Sequence, residues 1–108
     1  MQTMQRGKVN ERGYLRVPEH WSLEIAQTLA KAEGIELTAI HWRVIRTIRD
    51  FFEETDVPPS HHVLRERLED INKPFKYNCV LAMKQLFPRG GIEQACRIAG
   101  LPDYYHGC

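Results

Sequence analysis

Apolar positions recur at helical spacing in five stretches of the chain and alternate only near its start. The clearest stripe is His41, Val44, Ile45, Ile48, Phe51 and Phe52, one apolar face repeating at three- and four-residue steps. Thr38 can cap it, so the pattern predicts a central helix over 38–54. Before it, Ser22 can cap a helix over 23–33, with Leu23, Ala26, Leu29 and Ala30 on one face and Gly34 as its stop. After it, Val57-Pro58-Pro59 is a rigid connector, and Ser60 begins a helix over 60–70 with Leu64, Leu68 and Ile71 inward. Asn72-Lys73-Pro74 breaks the chain again. A fourth helix over 76–87 carries Val80, Leu81 and Phe87, and the turn Pro88-Arg89-Gly90-Gly91 follows. A last short helix over 92–99 carries Ile92, Ala95, Cys96 and Ala99, and Gly100 ends it.

Period-two alternation is confined to residues 9–17. Asn10 to Gly13 supply turn residues, while Tyr14, Leu15 and Val17 favour strand, so a hairpin is expected there. A lone hairpin is marginal and must lie against the helices. The expected fold is therefore mainly α: a small orthogonal bundle of about five helices with an N-terminal β-hairpin and a flexible C-terminal arm. At 108 residues, one domain is the default. It divides into a hairpin over 9–17, a helical core over 22–100 and a mobile cysteine arm over 101–108.

Composition narrows the function. Hydrophobic residues make up 43% and charged residues 27%, with a formal net charge of +1. That suits a real but small core and speaks against a generic nucleic-acid binder, which carries a strong basic excess. No apolar run reaches the ~20 residues of a membrane span, and residues 1–10 lack the apolar stretch of a secretory signal. A cytoplasmic protein without membrane insertion is expected. Three cysteines are an odd count, which argues against a secreted disulfide framework.

The cysteines are the candidate chemistry. Cys108 is the last residue of the sequence, behind Gly107, and has little packing to supply. Cys96 lies on the apolar face of the last helix and is expected half-buried there. Eleven residues separate the two, enough for the tail to fold back and bring the thiols together. Thiolate attack, persulfide formation and disulfide exchange are the reactions open to such a pair. Over residues 73–97 five basic residues (Lys73, Lys76, Lys84, Arg89 and Arg97) face one acid, Glu93. That stretch is either a solvated face or a surface that stabilises anionic sulfur, with Arg97, Arg89 and Lys84 as its substrate-binding residues. Cys79 reads as structural or incidental. Cys96, His106, Cys108 and His61 or His62 would supply four metal ligands, but their spacing matches none of the usual zinc patterns. No metal and no cofactor are therefore expected. His41 fits a satisfied histidine at the edge of the core.

The segment Leu86-Phe87-Pro88-Arg89-Gly90-Gly91, then Gln94-Ala95-Cys96-Arg97-Ile98-Ala99-Gly100-Leu101-Pro102 and Gly107-Cys108, resembles the C-terminus of the DsrC/TusE family. Upstream, Gly13-Tyr14-Leu15, Pro18-Glu19-His20-Trp21, the run from Ala30 to Thr38, His41-Trp42 and Arg49-Asp50-Phe51-Phe52 also look like family positions. The resemblance implies a small helical sulfur carrier with a hairpin and a mobile arm. One branch relays persulfide for 2-thiouridine formation in tRNA and typically needs only the arm cysteine. The other serves dissimilatory sulfite reductase and uses both tail cysteines, forming a trisulfide. With Cys96 and Cys108 both present, this chain resembles the second branch more. Its arm departs from the usual pattern: Asp103-Tyr104-Tyr105-His106 stand where a Lys-Pro step is usual, and the cysteines are one residue further apart.

Two functions follow as expectations. The first is a sulfur carrier in which Cys108 holds sulfur and Cys96 resolves it. It would have no independent turnover, act as a monomer, and partner sulfite reductase-type, heterodisulfide reductase-type or sulfur-relay proteins. The second is a redox-responsive regulator with a helix-turn-helix surface. Arg43, Arg46 and Arg49 would touch phosphate in that case, although Asp50, Glu53 and Glu54 follow them directly and make a solvated face the simpler account.

Overall fold

The computed structural model describes Val9, Tyr14, Leu15, residues 17–68 and residues 78–102. Five α-helices occupy them: α1 (Leu23–Ala32), α2 (Ala39–Thr55), α3 (His61–Leu68), α4 (Cys79–Leu86) and α5 (Ile92–Ile98), preceded by a short 3-10 turn at Pro18–His20. The mainly helical class is as the periodicity predicts. Among the described residues there is no sheet, only an isolated antiparallel bridge between Val9 and Leu15. The rest of the expected hairpin, and the arm beyond Pro102, lie outside the described residues.

The caps set the helix ends. Ser22 accepts from the Ile25 amide at 3.2 Å and starts α1. Ile35 N donates to Ala30 O at 2.9 Å and Gly34 N to Lys31 O at 3.1 Å, with Gly34 at φ +81°. These paired bonds close α1 through a left-handed residue that glycine adopts without a steric penalty. Ser60 Oγ accepts from the Val63 amide and opens α3. Asn78 Oδ1 accepts from the Leu81 amide at 3.1 Å and opens α4, so α4 begins at Cys79, three residues later than its apolar content suggests.

That start decides which face of α4 is buried. Cys79, Ala82 and Met83 are buried and Leu86 packs against the core, a series at i, i+3, i+4 and i+7. Val80 and Leu81 fall on the other side and are 43% and 50% exposed, against the expectation that they point inward. Leu23 is likewise exposed, at the open N-terminal edge of α1. Leu64 and Leu68 are buried as expected; Ile71 lies outside the described residues.

The centre of the molecule is α2. Val44, Ile45 and Ile48 are buried among Leu29 and Ala30 of α1, Leu64 and Leu68 of α3, Met83 of α4, and Ala95 and Ile98 of α5. Phe51 and Phe52, further along the stripe, are only half-buried. His41 is buried at the start of α2: its Nδ1 accepts from the Thr38 amide at 3.1 Å, and its Nε2 stands 2.8 Å from Leu86 O. A backbone amide can only donate and a carbonyl can only accept, so Nδ1 takes the Thr38 amide and Nε2 faces the Leu86 carbonyl as donor. The ring thereby joins α2 to the end of α4.

Candidate functional site

α5 is seven residues long, too short to stand alone, and is held by packing against α1, α2 and α4. Gly91 stands before it at φ +60°. With three helices around it, Gln94, Ala95, Cys96 and Ile98 are all buried. Cys96 is 0% exposed. That is deeper than the half-burial expected of an outer helix, because α5 is enclosed and not laid on the surface.

A polar network fixes α5 in rotation. Gln94 Nε2 donates to Glu33 Oε1 at 2.7 Å, and Gln94 Oε1 accepts from the Arg89 amide at 2.8 Å. Arg97 donates to the same carboxylate twice, from Nε to Oε2 at 3.1 Å and from a terminal nitrogen to Oε1 at 2.7 Å. Such two-point pairing is strong and directional. Burial works to lower the Arg97 pKa, but the hydrogen bonds and charge of Glu33, helped by Tyr14 and Glu93, outweigh it and hold the group above its usual range. Tyr14 donates to Glu93 at 3.2 Å, which ties the N-terminal segment to the same helix.

The C-terminal end of α5 carries carbonyls that no helical amide satisfies. Two side chains from distant segments capture them. Trp21 Nε1 donates to Ile98 O at 2.9 Å, and Arg49 donates to Ala99 O at 2.8 Å. The Arg49 guanidinium also lies 4.1 Å from the centre of the Trp21 ring, a cation–π contact. Burial lowers the Arg49 pKa from its ordinary value, with Glu53 and Asp50 pulling the other way. Gly100 follows at φ +80°, and a Cβ there would sit 2.3 Å from Trp21 Cδ1. Trp21, Arg49 and Gly100 thus form a clamp that sets where the chain leaves α5, four residues past Cys96.

The predicted site residues fall into three groups. Cys96 and Arg97 share α5, Cys96 buried in the core and Arg97 committed to Glu33. Arg89 and Lys84 are exposed at the other end of α5: Arg89 joins the network through its amide, and the Lys84 side chain lies 3.5 Å from where a Cβ on Gly91 would stand. Cys108 lies outside the described residues, as does His106. His61 and His62 are in the first turn of α3, with His62 3.2 Å from Glu66. Among the described residues no three His, Cys, Asp or Glu side chains gather as a metal site. Cys79 is buried, and burial raises its pKa against a weaker opposing pull from Arg65. Glu33, Gln94 and the clamp were not singled out as site residues from sequence. Their sequence signal is that they fall within the segments that resemble the family; their contacts with one another appear only in the fold.

This arrangement has close parallels. The model for DsrC like protein matches residues 2–108. Sulfurtransferase TusE of Buchnera aphidicola (subsp. Acyrthosiphon pisum) is 36% identical over 90 residues, which cover 83% of this chain and 78% of the relative. Sulfurtransferase TusE of Salmonella typhimurium is 39% identical over 90 residues, covering 83% and 82%. The crystal structure of the oxidized gamma-subunit of the dissimilatory sulfite reductase (DsrC) from Archaeoglobus fulgidus superposes with a TM-score of 0.76 at 38% identity, covering 87% of this chain and 85% of that one. The NMR structure of Allochromatium vinosum DsrC gives 0.72 at 35% identity, covering 87% and 83%. A match along nearly the whole length, in sequence and in the packing of its helices, leaves one conclusion: the chain belongs to the DsrC family.

Proposed function

We propose that this chain is a sulfur carrier in which Cys108 takes up sulfur and Cys96 resolves it. The observation that carries the reading is the position of Cys96. It is a thiol enclosed in α5, at the end of which Trp21 and Arg49 fix the exit of the chain that leads to Cys108. Burial keeps Cys96 from reagents in bulk solution, so its reaction with Cys108 requires α5 to open toward the arm. The sulfurtransferase relatives and the sulfite-reductase gamma-subunit support sulfur as the cargo.

The chemistry balances in two steps. The Cys108 thiolate attacks the outer sulfur of a partner's persulfide; its new S–S bond replaces the partner's, and the partner leaves as a thiolate. The Cys96 thiolate then attacks the Cys108 sulfur and expels hydrosulfide, so the two cysteines are oxidised to a disulfide and the carried sulfur is reduced to sulfide. Joining all three sulfurs as a trisulfide instead removes two electrons and two protons, which a partner redox protein must accept. Arg89 and Lys84 supply exposed positive charge for anionic sulfur, and Arg97 acts through Glu33 to hold α5 in place. The chain works as one domain and as a monomer, turnover resting with partners of the sulfite reductase or heterodisulfide reductase type. No described helix is long and apolar enough to cross a membrane, in keeping with a cytoplasmic carrier.

The TusE relatives favour a second reading, a persulfide relay for tRNA thiolation. Cys96 separates the two, because a relay needs only the arm thiol. The test is loading from a persulfide donor followed by intact-mass and peptide mapping. The native chain should gain sulfur at Cys108 and, on mild oxidation, link Cys96 to Cys108. Cys96→Ser should load and fail to link. Cys108→Ser should not load, and loading of Cys108→Ser at the native level would overturn the carrier reading. Full sulfur delivery by Cys96→Ser would favour the relay.

A further inference from the structure

Glycines stand on both sides of α5. Gly90 and Gly91 lead into it at φ +143° and +60°, and Gly100 leads out at φ +80°. At the exit the Gly100 amide donates to Arg97 O and the Leu101 amide to Cys96 O, both at 3.1 Å. This is a Schellman closure. It ties the carbonyl of Cys96 into the same turn that Trp21 and Arg49 hold from distant segments.

Packing holds α5 less firmly than it holds the central helix. Its buried apolar side chains are small at Ala95, Cys96 and Ala99, and large only at Ile98 and, just past the helix, Leu101. α2 by contrast sinks Val44, Ile45 and Ile48 into the centre. Apolar stabilisation follows the area removed from water, so a larger share of the hold on α5 falls to polar contacts. Those are Glu33 on Gln94 and Arg97, Trp21 on Ile98 O, and Arg49 on Ala99 O. Every one of these partners comes from outside α5. A helix of seven residues does not persist on its own once they let go.

We propose that α5 and its C-terminal turn open as a local unit, hinged at Gly90–Gly91 and latched by Trp21 and Arg49, while α1 to α4 stay folded. Opening carries Cys96 out of the core and makes it a reactive thiol; closing returns it to full burial. Trp21 and Arg49 are positioning residues in this device. They hold backbone carbonyls, and the strength of that hold sets how often α5 is open. Openings of this kind belong to the less stable units of a fold. The device rests on packing and hydrogen bonds, and it stands whether or not Cys108 carries sulfur.

Two readouts on the full-length reduced protein test this. Amide hydrogen exchange is followed residue by residue, and alkylation of Cys96 by N-ethylmaleimide is followed by peptide mapping, at reagent concentrations where the rate is proportional to reagent. The amides of Cys96, Ile98 and Leu101 should exchange through an opening about tenfold or more frequent than that of Ile45 and Ile48 in α2, with a shallower dependence on urea. Alkylation of Cys96 should report the same opening. Trp21→Phe keeps the ring and removes the bond to Ile98 O, and should speed Cys96 alkylation about three- to tenfold. Arg49→Met, which removes the bond to Ala99 O, should act the same way. Leu64→Val is the control: α3 packs on α2 and α4 and stays folded when α5 opens. It should speed exchange at Ile45 and Ile48 about threefold or more and leave Cys96 alkylation unchanged. Equal opening and equal urea slopes in α5 and α2 would overturn the proposal, as would a Cys96 rate that Leu64→Val raises along with α2 exchange. A Cys96 rate indifferent to both Trp21→Phe and Arg49→Met would overturn the latch. Sulfur loading from a persulfide donor, measured on the same proteins, reports separately on the carrier function.

Discussion

Gly100 is the residue on which the exit from α5 turns. Its φ of +80° lies in the left-handed region, and a Cβ would meet three Trp21 atoms between 2.3 and 2.9 Å. Gly100→Ala must therefore strain its backbone and push Trp21 away, breaking the bond to Ile98 O and uncovering Arg49. Backbone strain and the lost hydrogen bond together should cost about 2–4 kcal/mol, measured by urea unfolding. A loss below the range of a routine surface change would show that Trp21 has room to move. Cys79 gives a second test at this scale. Burial raises its pKa from the ordinary 9.0, so the folded state holds the thiol proton more tightly than the unfolded chain. The stabilisation is complete below the unfolded value and is lost as pH rises through the folded one. Stability should therefore fall as pH climbs above 9.0, and Cys79→Ala should flatten that fall. An unchanged alkaline slope in the variant would count against a buried thiol. Of these residues, the sequence marks Gly100 as a helix stop and Cys79 as structural. It does not show Trp21 against Gly100, because their contact joins positions far apart in the chain.

Among the elements, α2 was the most legible and α4 the least. The α2 stripe is long, and its three- and four-step rhythm leaves one face to bury; Val44, Ile45 and Ile48 are indeed at the centre. In α4 the adjacent apolar pair Val80 and Leu81 points outward, since Asn78 sets the phase of the helix and places Cys79, Ala82 and Met83 inward. Hydrophobicity alone favours burying that pair, whereas the cap decides the rotation. α5 was legible in extent but not in how it is held. Its attachment to α1 rests on Glu33, which reads in sequence as a last-turn acid before Gly34. With Arg97 and Glu33 only 15% and 20% exposed, Glu33→Gln leaves Arg97 with a neutral partner at a site largely shut off from water. A loss of about 2 kcal/mol is expected by urea unfolding, with faster alkylation of Cys96 as α5 loosens. Unaltered Cys96 reactivity alongside lost stability would mean that Glu33 braces the fold without governing access to the thiol.

For the molecule as a whole, the distribution of charge decides between a carrier and a nucleic-acid-binding regulator. The central helix displays Arg43, Arg46 and Arg49 at three-residue steps, which in sequence resembles a phosphate-contacting edge. In the fold, Arg49 is drawn inward to Ala99 O and the Trp21 ring. Beyond it, Glu54 pairs with Arg67 at 3.0 Å and Glu53 lies near Arg49, so carboxylates bound the basic stretch at once. Arg43 and Arg46 complete that stretch, two arginines on a chain of formal charge +1. Duplex recognition draws on many phosphate contacts, each releasing counterions, and its affinity falls steeply with salt in proportion to their number. A two-contact surface should bind duplex DNA only weakly, without sequence preference, and lose measurable binding by about 200 mM salt. Fluorescence anisotropy with labelled duplexes across a salt series measures this. A shallow slope with weak affinity is the expected result. A steep slope, or one duplex preferred over another at 200 mM salt, would require a basic face larger than these two arginines and would restore the regulator reading.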